Sequence, residues 1–300
     1  MKFNEKLINA ARANQSWLCV GLDPDLSKIP SQFGGDADAI LKFNRAIIES
    51  TSDLVCAYKP NSAFYEALGS RGWEILIETV KSIPRNIPVI LDFKRGDIGN
   101  TAKMYAKSAF EIIGADAVTV SPYLGSDSIE PFLQYPEKGV FILCLTSNSS
   151  RAEIQKKMVL LENPPSGEGL TPHSMARTFA EFFNLSAIEV YKYVARLSKG
   201  WNKSGNTGLV VGATSPEELE WVRSEIGEET AILVPGVGAQ GGDLEAALRA
   251  GSNSRGEMAI INNSRGIIYA GKEDTYCHDI REAADSFREK MKKILRDRIK

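Results

Sequence analysis

The sequence predicts a (β/α)8 barrel, an α/β fold in which eight parallel strands alternate with helices. Two observations support this prediction: eight short apolar runs recur along the 300 residues, and longer amphipathic stretches separate them. A strand of a parallel sheet is buried on both faces, so its sequence is a continuous apolar run rather than an alternating one. One barrel can use this whole length, and we therefore expect a single domain over residues 1–300.

The stretches between the apolar runs have helical features. Asp36–Ser50 places its apolar residues on one side, and the stretch from Ile280 to Leu295 repeats apolar residues at helical spacing. Ser215 is the predicted N-cap of a helix whose first residue is Pro216, followed by two glutamates. The predicted strands, in chain order, are Trp17–Leu22, Leu54–Tyr58, Pro88–Phe93, Ala117–Val120, Val140–Leu145, Gly208–Val211, Ala231–Val234 and Met258–Ile261.

The connection between the fifth and sixth predicted strands, residues 146–207, is far longer than usual. Residues 162–169 have the composition of an irregular loop, and residues 174–198 have the pattern of a helix. We expect an enlarged insertion of loop and helix at roughly residues 150–190. It should lie on the active-site side of the barrel, where βα loops lie. Long loops can carry function or be inert, so its task stays open.

Composition limits the classes of function. A net charge of -2, with 43% hydrophobic and 25% charged residues, argues against a nucleic-acid-binding or membrane-binding surface. The polar N-terminus has no long apolar run behind it, so we expect no signal peptide and no membrane span, and we expect a cytoplasmic enzyme. The four cysteines form no Cys-x-x-Cys pair, which argues against a zinc or redox motif, and buried reduced thiols are expected instead.

Charged residues collect at the carboxyl ends of the first three predicted strands. Asp23 ends the first strand and Lys59 the second, while Asp92 and Lys94 end the third, with Asp97 just beyond it. These strand ends converge on one mouth of a barrel. Asp92 and Lys94 are two residues apart on a strand, so they share a side, and they are costly to desolvate unless they pair. One such pair is typically structural. Several charges beside a phosphate-like loop favour a functional site.

That loop is the glycine-rich stretch Pro235–Gly242 after the seventh strand, with Arg265 after the eighth. Loops at these two positions are the usual phosphate cradle of the fold. We expect the helix opening near Gly241 to turn its N–H groups toward the anion, and Gln240 and Arg265 to donate to it. The glycines also match the dinucleotide fingerprint, but that motif belongs to the first βα unit of a doubly wound sheet, so we reject it.

Histidine and metal chemistry receive little support. The two histidines, His173 and His278, lie far from the charged cluster in the sequence, which argues against a histidine triad or a histidine metal site. Asp92 and Asp97 carry ligands that Mg²⁺ accepts, but the basic residues between them argue against such a site. We therefore expect no metal.

Residues 92–101, Asp-Phe-Lys-Arg-Gly-Asp-Ile-Gly-Asn-Thr, resemble the Asp-x-Lys-x-x-Asp-Ile signature of the orotidine 5'-phosphate decarboxylase family. The resemblance covers nearly the whole chain. Residues 20–25, 58–61, 209–214 and 235–243 fit the longer bacterial-type branch, type 2. The resemblance implies a homodimeric barrel whose active sites lie at the dimer interface. It also implies conversion of orotidine 5'-monophosphate to UMP and CO₂, the last step of de novo pyrimidine nucleotide synthesis, without a metal or organic cofactor.

The resemblance also implies roles for individual residues. Lys94 would donate the proton to C6, Asp92 would lie against the leaving carboxylate, and Lys59 would bridge Asp92 and the ribose. Asp97 would enter the site of the neighbouring subunit. The other substrate ligands implied are Ile98 and Thr101 beside Asp97, Asp23 for a ribose hydroxyl, Gln240 and Arg265 for the phosphate, and Ser149 for the pyrimidine. The pyrimidine-reading serine falls within residues 146–150, where the two branches of the family differ, and Ser149 is our choice.

Two alternatives stay open. One is a sister decarboxylase or aldolase of the same barrel superfamily that acts on a sugar phosphate with Mg²⁺, because it would share an Asp-x-Lys-x-x-Asp strand. The other is a non-catalytic barrel that binds a phosphate ligand. The presence of both Lys59 and Lys94 beside acidic residues argues against this second alternative.

Overall fold

Eight parallel strands enclose the core in the computed structural model of the chain, which describes residues 1–161, 186–238 and 241–299. Isolated parallel bridges from Tyr58 to Val89 and from Asn61 to Asp92 bring the two ends of the strand order together. The predicted barrel is thereby confirmed. The barrel strands are β1 Leu18–Leu22, β2 Ala57–Pro60, β3 Ile90–Arg95, β4 Ala117–Val120, β5 Gly139–Leu145, β8 Thr207–Val211, β9 Ala231–Val234 and β10 Ala259–Asn263. Two further strands, β6 Met158–Leu161 and β7 Ser186–Glu189, form a separate sheet. Their order around the barrel is β2, β1, β10, β9, β8, β5, β4, β3.

Helices follow the strands and cover the outside of the barrel. The predicted helix at residues 36–50 forms with Asp36 as N-cap, whose carboxylate accepts from the Ala39 N–H at 3.1 Å. The helices are α1 Phe3–Ala13, α2 Ala37–Thr51, α3 Ser62–Glu66, α4 Gly69–Ser82, α5 Gly99–Lys107, α6 Glu130–Leu133, α7 Val190–Trp201, α8 Pro216–Ile226, α9 Leu244–Gly251, α10 Arg265–Ile268 and α11 Tyr276–Ile299. A π-helical segment, Ser108–Ile113, continues α5.

Two predicted helices differ in detail from the structure. Ser215 is the N-cap residue of α8 and Pro216 begins this helix, as expected, but the Ser215 hydroxyl makes no capping hydrogen bond and accepts instead from Arg151 Nη2 at 3.1 Å. Residues 186–189 are not helical, because they pair as β7 with β6 in a separate antiparallel sheet. Backbone pairing and the burial of Ile188 there outweigh the helical pattern of the sequence. The predicted loop at 162–169, and His173, lie outside the described residues.

The core is continuous from the barrel interior to the helix layer. All five residues of β1, all four of β4 and all four of β9 are buried, as expected for strands covered on both faces. Cys19, Cys56 and Cys144 are buried and Cys277 is exposed, and burial raises the pKa of the Cys19 thiol to about 12. No helix in the described ranges is long and apolar enough to cross a membrane.

Candidate active site

A cavity of about 460 Å³ opens at the carboxyl ends of the barrel strands. Its floor is apolar and includes Leu143, Val210 and Leu233. Polar side chains from the strand ends surround this floor, as the fold predicts. The polar residues that line the cavity are Asp23, Lys59, Asn61, Asp92, Lys94, Thr119, Thr146, Ser147, Asn148, Asn262, Asn263, Ser264 and Arg265.

Asp92 holds two lysines in this cavity. Lys59 Nζ lies 2.9 Å from Asp92 Oδ2, and Lys94 Nζ lies 2.5 Å from Asp92 Oδ1. The side chains of Lys59 and Asp92 are buried, while that of Lys94 is 48% exposed. One carboxylate therefore orients two ammonium groups, and one of them keeps a face open to the cavity.

The buried charges stabilise one another. Burial alone would raise the pKa of Asp92, but the positive charges of Lys59 and Lys94 outweigh it and hold that pKa well below its usual range. Burial alone would lower the pKa of Lys59, but the negative charges of Asp92 and Asp23 raise it well above its ordinary value. Both groups are consequently ionised at neutral pH.

The end of β3 is irregular, which the sequence did not indicate. Leu91 pairs with Val118 and Arg95 with Val120, so the register shifts between them, and Lys94 has a φ of +47°. The side chains of Asp92 and Lys94 do meet, as predicted, but a local bulge rather than simple strand alternation brings them together. Phe93 faces the helix layer, and its ring centroid lies 6.1 Å from that of Phe132.

Thr119 on β4 lies against this bulge, and sequence reasoning gave it no role. Its hydroxyl oxygen accepts from the backbone N–H of Phe93 at 3.2 Å and from that of Lys94 at 3.1 Å. The same hydroxyl donates to Asp92 Oδ1 at 2.8 Å. No local motif marks Thr119, because its partners are more than twenty residues away in the sequence.

Two buried acceptor atoms in the cavity lack a donor within the part of the chain that the structure describes. They are Asp23 Oδ1 and Asn262 Oδ1. Asn262 also donates through Nδ2 to the Ser264 hydroxyl at 3.3 Å. A buried acceptor without a partner is costly, so both atoms favour a ligand that carries hydroxyl or N–H donors. Asp23 is a predicted site residue, whereas Asn262 is not among the residues predicted for the site.

Asp97 does not join the lysines within one chain. Its carboxylate accepts from the Ile98 N–H at 2.8 Å, and Asp97, Ile98 and Thr101 are all absent from the cavity lining. Ile98 is 58% exposed. Of the five charged residues expected at the ends of the first three strands, four line the cavity in a single chain, and Asp97 lies outside this lining.

The glycine-rich loop after β9 lies at the cavity as expected. Gly236 and Val237 line it, and Gly236 and Gly238 have φ values of +95° and +71° that favour glycine. Gln240 lies outside the described residues. A helix opens near Gly241 as expected, because α9 begins at Leu244 with Asp243 as its N-cap. There the carboxylate of Asp243 accepts from the Ala246 N–H at 2.7 Å, so it occupies part of this helix end.

Arg265 and the loop after β5 complete the cavity. Arg265 lines it, is exposed, and forms no ion pair with any residue in the described ranges. Ser149 is exposed and begins a short 3-10 helix, Ser149–Glu153, outside the lining. Ser147 and Asn148 line the cavity instead, which moves the polar contact of this loop two residues earlier than predicted.

The described residues hold no group of three or more His, Cys, Asp or Glu side chains placed to bind a metal ion. His278 lies on α11 with an exposed side chain, 3.9 Å from Glu282. The chemistry available in the cavity is therefore that of two ammonium groups, their carboxylate, hydroxyl and amide groups, and a guanidinium at the rim.

Comparison with known proteins gives a consistent result. A sequence model of the orotidine 5'-phosphate decarboxylase / HUMPS family matches residues 16–166. The orotidine 5'-phosphate decarboxylase of Herpetosiphon aurantiacus is 48% identical over 285 residues, 95% of this chain and 96% of that protein. A structure of Leishmania donovani OMP decarboxylase superposes with a TM-score of 0.79 at 38% identity, over 98% of this chain and 99% of that one. A structure of Leishmania donovani UMP synthase gives 0.80 at 40% identity, over 98% of this chain and 57% of that one.

Proposed function

The chain belongs to the orotidine 5'-phosphate decarboxylase / HUMPS family, and we infer that it converts orotidine 5'-monophosphate to UMP and CO₂. It is a carboxy-lyase of pyrimidine nucleotide synthesis. The observation that carries the inference to this chain is the arrangement of Lys59, Asp92 and Lys94 in the cavity, with two ammonium groups on one buried carboxylate.

We propose that Lys94 supplies the chemistry at C6. Loss of CO₂ leaves an electron pair in an sp² orbital at C6, which the pyrimidine ring hardly delocalises. A fixed ammonium stabilises that charge as it develops and needs no reorganisation when the bond breaks. Lys94 then donates a proton to C6 to give UMP. Its partial exposure toward the cavity, with Asp92 holding Nζ, supports this role.

Asp92 and Lys59 serve Lys94 in this proposal. Asp92 orients the Lys94 ammonium and would lie against the substrate carboxylate, so the repulsion between the two negative charges would fall as CO₂ leaves. The weight of such ground-state effects is contested, and we place more of the rate enhancement on Lys94. Lys59 keeps Asp92 ionised and reaches from it toward the ribose.

Ribose and phosphate binding are assigned to other residues. Asp23 Oδ1 and Asn262 Oδ1, buried acceptors without donors in the described ranges, suit ribose hydroxyl groups. Arg265 and Gln240 are proposed for the phosphate, supported for Arg265 by its place on the cavity rim without an ion-pair partner among the described residues. For the pyrimidine we propose Ser147 rather than Ser149, because Ser147 lines the cavity.

We further propose a homodimer in which Asp97, with Ile98 and Thr101, enters the cavity of the partner subunit. Supporting this, α5 contacts the short helix Ser126–Ser128, and large apolar side chains on and beside these two elements are exposed. They are Ile98 at 58%, Met104 at 60%, Tyr123 at 82% and Leu124 at 52%. Exposed apolar groups beside one another favour a protein–protein contact. A single domain and a cytoplasmic location are part of the same proposal.

One assay tests the function. The purified protein is mixed with orotidine 5'-monophosphate, and the absorbance change, UMP and CO₂ are measured with and without a strong chelator. We expect equimolar UMP and CO₂ at a rate that the chelator does not change. A rate that disappears with the chelator and returns with Mg²⁺ would favour the sister sugar-phosphate enzymes. Binding without any turnover would favour the non-catalytic barrel.

A further inference from the structure

The backbone at the end of β3 is held in an unusual conformation. Lys94 has a φ of +47°, in the left-handed region that side-chain-bearing residues seldom adopt. Such a conformation persists only where surrounding structure enforces it, and it is concentrated at functional sites. The residue so held is the one whose ammonium lies 2.5 Å from Asp92. Something other than β3 itself must therefore hold the bulge.

The hydroxyl of Thr119 is placed to do this. A hydroxyl has one hydrogen to donate and two lone pairs to accept with. In Thr119 both functions are used: the oxygen accepts from the N–H groups of Phe93 and Lys94, and the hydrogen goes to Asp92 Oδ1. One atom thus connects the backbone of the bulge with the carboxylate that holds both lysines.

Thr119 itself is rigidly placed. Its two neighbours in the sequence, Val118 and Val120, pair with β3, and Thr119 pairs with Phe141 of β5 on the other side. Thr119 is 1% exposed, so water has little access to replace its hydroxyl. Two flanking strands therefore fix the hydroxyl, and the hydroxyl in turn fixes the end of β3.

We propose that Thr119 is a positioning residue for decarboxylation, whose hydroxyl holds the β3 bulge and Asp92 so that Lys94 presents its ammonium to C6. Thr119 acts through Asp92 and Lys94 rather than on the substrate. The inference rests on the proposed function for its catalytic part. Its structural part, the dependence of the bulge on one hydroxyl, stands independently of any substrate.

The test uses three variants of the full chain. Thr119→Val keeps the branched shape of the side chain and removes the hydroxyl, whereas Thr119→Ser keeps the hydroxyl. Thr207→Val is the matched control, because Thr207 is also buried on a strand of the same barrel but lies at the start of β8, away from the cavity lining. Two measurements are made on each: steady-state turnover of orotidine 5'-monophosphate, and amide hydrogen exchange at residues 93 and 94 in the free protein.

For Thr119→Val we expect kcat to fall by about tenfold to hundredfold with KM unchanged, because a small displacement of a reacting group carries a cost of that order. Protection of the two amides from exchange should be lost. Thr119→Ser should restore most of kcat and the protection, and Thr207→Val should behave as the native chain. Native kcat in Thr119→Val, or an equal loss in Thr119→Ser, would overturn the proposal.

The exchange measurement separates the two inferences. If the native chain does not turn over orotidine 5'-monophosphate, the proposed function fails, and the amides then decide the role of Thr119. Lost protection in Thr119→Val with recovery in Thr119→Ser would support its hold on the bulge. Retained protection in Thr119→Val would overturn it. If Thr119→Val does not fold, Thr119→Ser still decides, since it must keep both turnover and protection.

Discussion

Lys59 and Asp92 form a buried ion pair, 2.9 Å between Nζ and Oδ2, across the junction of β2 and β3. The two strands meet there only through isolated bridges, one of which joins Asn61 to Asp92. The pair therefore links the first and last strands of the barrel order. It also keeps the carboxylate ionised that Lys94 contacts.

Removing one partner of this pair should destabilise the fold. Lys59→Met leaves a buried carboxylate with one lysine fewer, and the free energy of unfolding should fall by about 3–5 kcal/mol. The double variant Lys59→Met with Asp92→Asn should be less destabilised than the sum of the two single variants. Urea unfolding of all four proteins measures this coupling. Additive losses within error would show that the pair contributes no interaction energy.

The same ion pair should make the stability of the fold depend on pH. The folded-state pKa of Asp92 is lowered, so on acidification the unfolded carboxyl takes up its proton first. The stability that Asp92 contributes is therefore complete above the ordinary carboxyl pKa of about 3.9 and is lost as the pH falls below it. Between pH 5 and pH 3 the free energy of unfolding should fall by about 1 kcal/mol more in the native chain than in Asp92→Asn. The free energy of unfolding is measured with urea at the two pH values. Equal decreases in the native chain and in Asp92→Asn would show that the pKa of Asp92 is not lowered by folding.

Lys94→Ala should remove nearly all turnover while the fold survives. The side chain is about half exposed, so its loss leaves no large cavity, but it removes both the charge that stabilises C6 and the proton donor. Lys203→Ala is the matched control, since Lys203 is an exposed lysine just before β8, at the other end of the barrel. Product formation and thermal unfolding are measured for both. Near-native turnover of Lys94→Ala would reject its role as proton donor.

Complementation between inactive variants tests the shared site. In a mixture of Asp97→Ala and Lys94→Ala chains, each hybrid dimer contains one intact site, because residue 97 serves the partner. With free subunit exchange we expect about a quarter of native activity. A mixture of Asp92→Asn and Lys94→Ala is the control and should stay inactive, since both residues serve their own chain. No recovery in the first mixture, with exchange confirmed by two different tags, would argue against the shared site.

Arg265→Ala should affect only substrates that carry the phosphate. The guanidinium lies at the cavity rim without an ion-pair partner in the described ranges, so its loss should raise KM for orotidine 5'-monophosphate and lower kcat/KM. The rate with the nucleoside orotidine should not change. Arg249→Ala, which removes an exposed arginine paired with Glu245 on α9, is the control. An equal loss with orotidine would show that Arg265 acts elsewhere in the reaction.

Much of the fold could be predicted because its cause is local in the sequence. Each barrel strand is buried on both faces and therefore appears as an apolar run, and Ala117–Val120 and Ala231–Val234 were located to the residue. The structure of the insertion was harder to predict from the sequence. Residues 186–189 have a helical pattern, but they lie beside β6, and pairing with a distant strand decides their conformation.

The candidate site, like the fold, could be predicted from the sequence only in part. The sequence by itself determined that Asp23, Lys59, Asp92, Lys94 and Arg265 belong to one barrel mouth, because strand ends converge there whatever the details of packing. Only the tertiary structure decided that Ser147 rather than Ser149 lines that mouth, and that the Thr119 hydroxyl accepts from the backbone N–H of Lys94 at the bulge. Bulges, loop geometry and cross-strand hydrogen bonds depend on contacts between residues far apart in the chain. A hydroxyl on β4 can fix a backbone on β3 only after the two strands lie side by side.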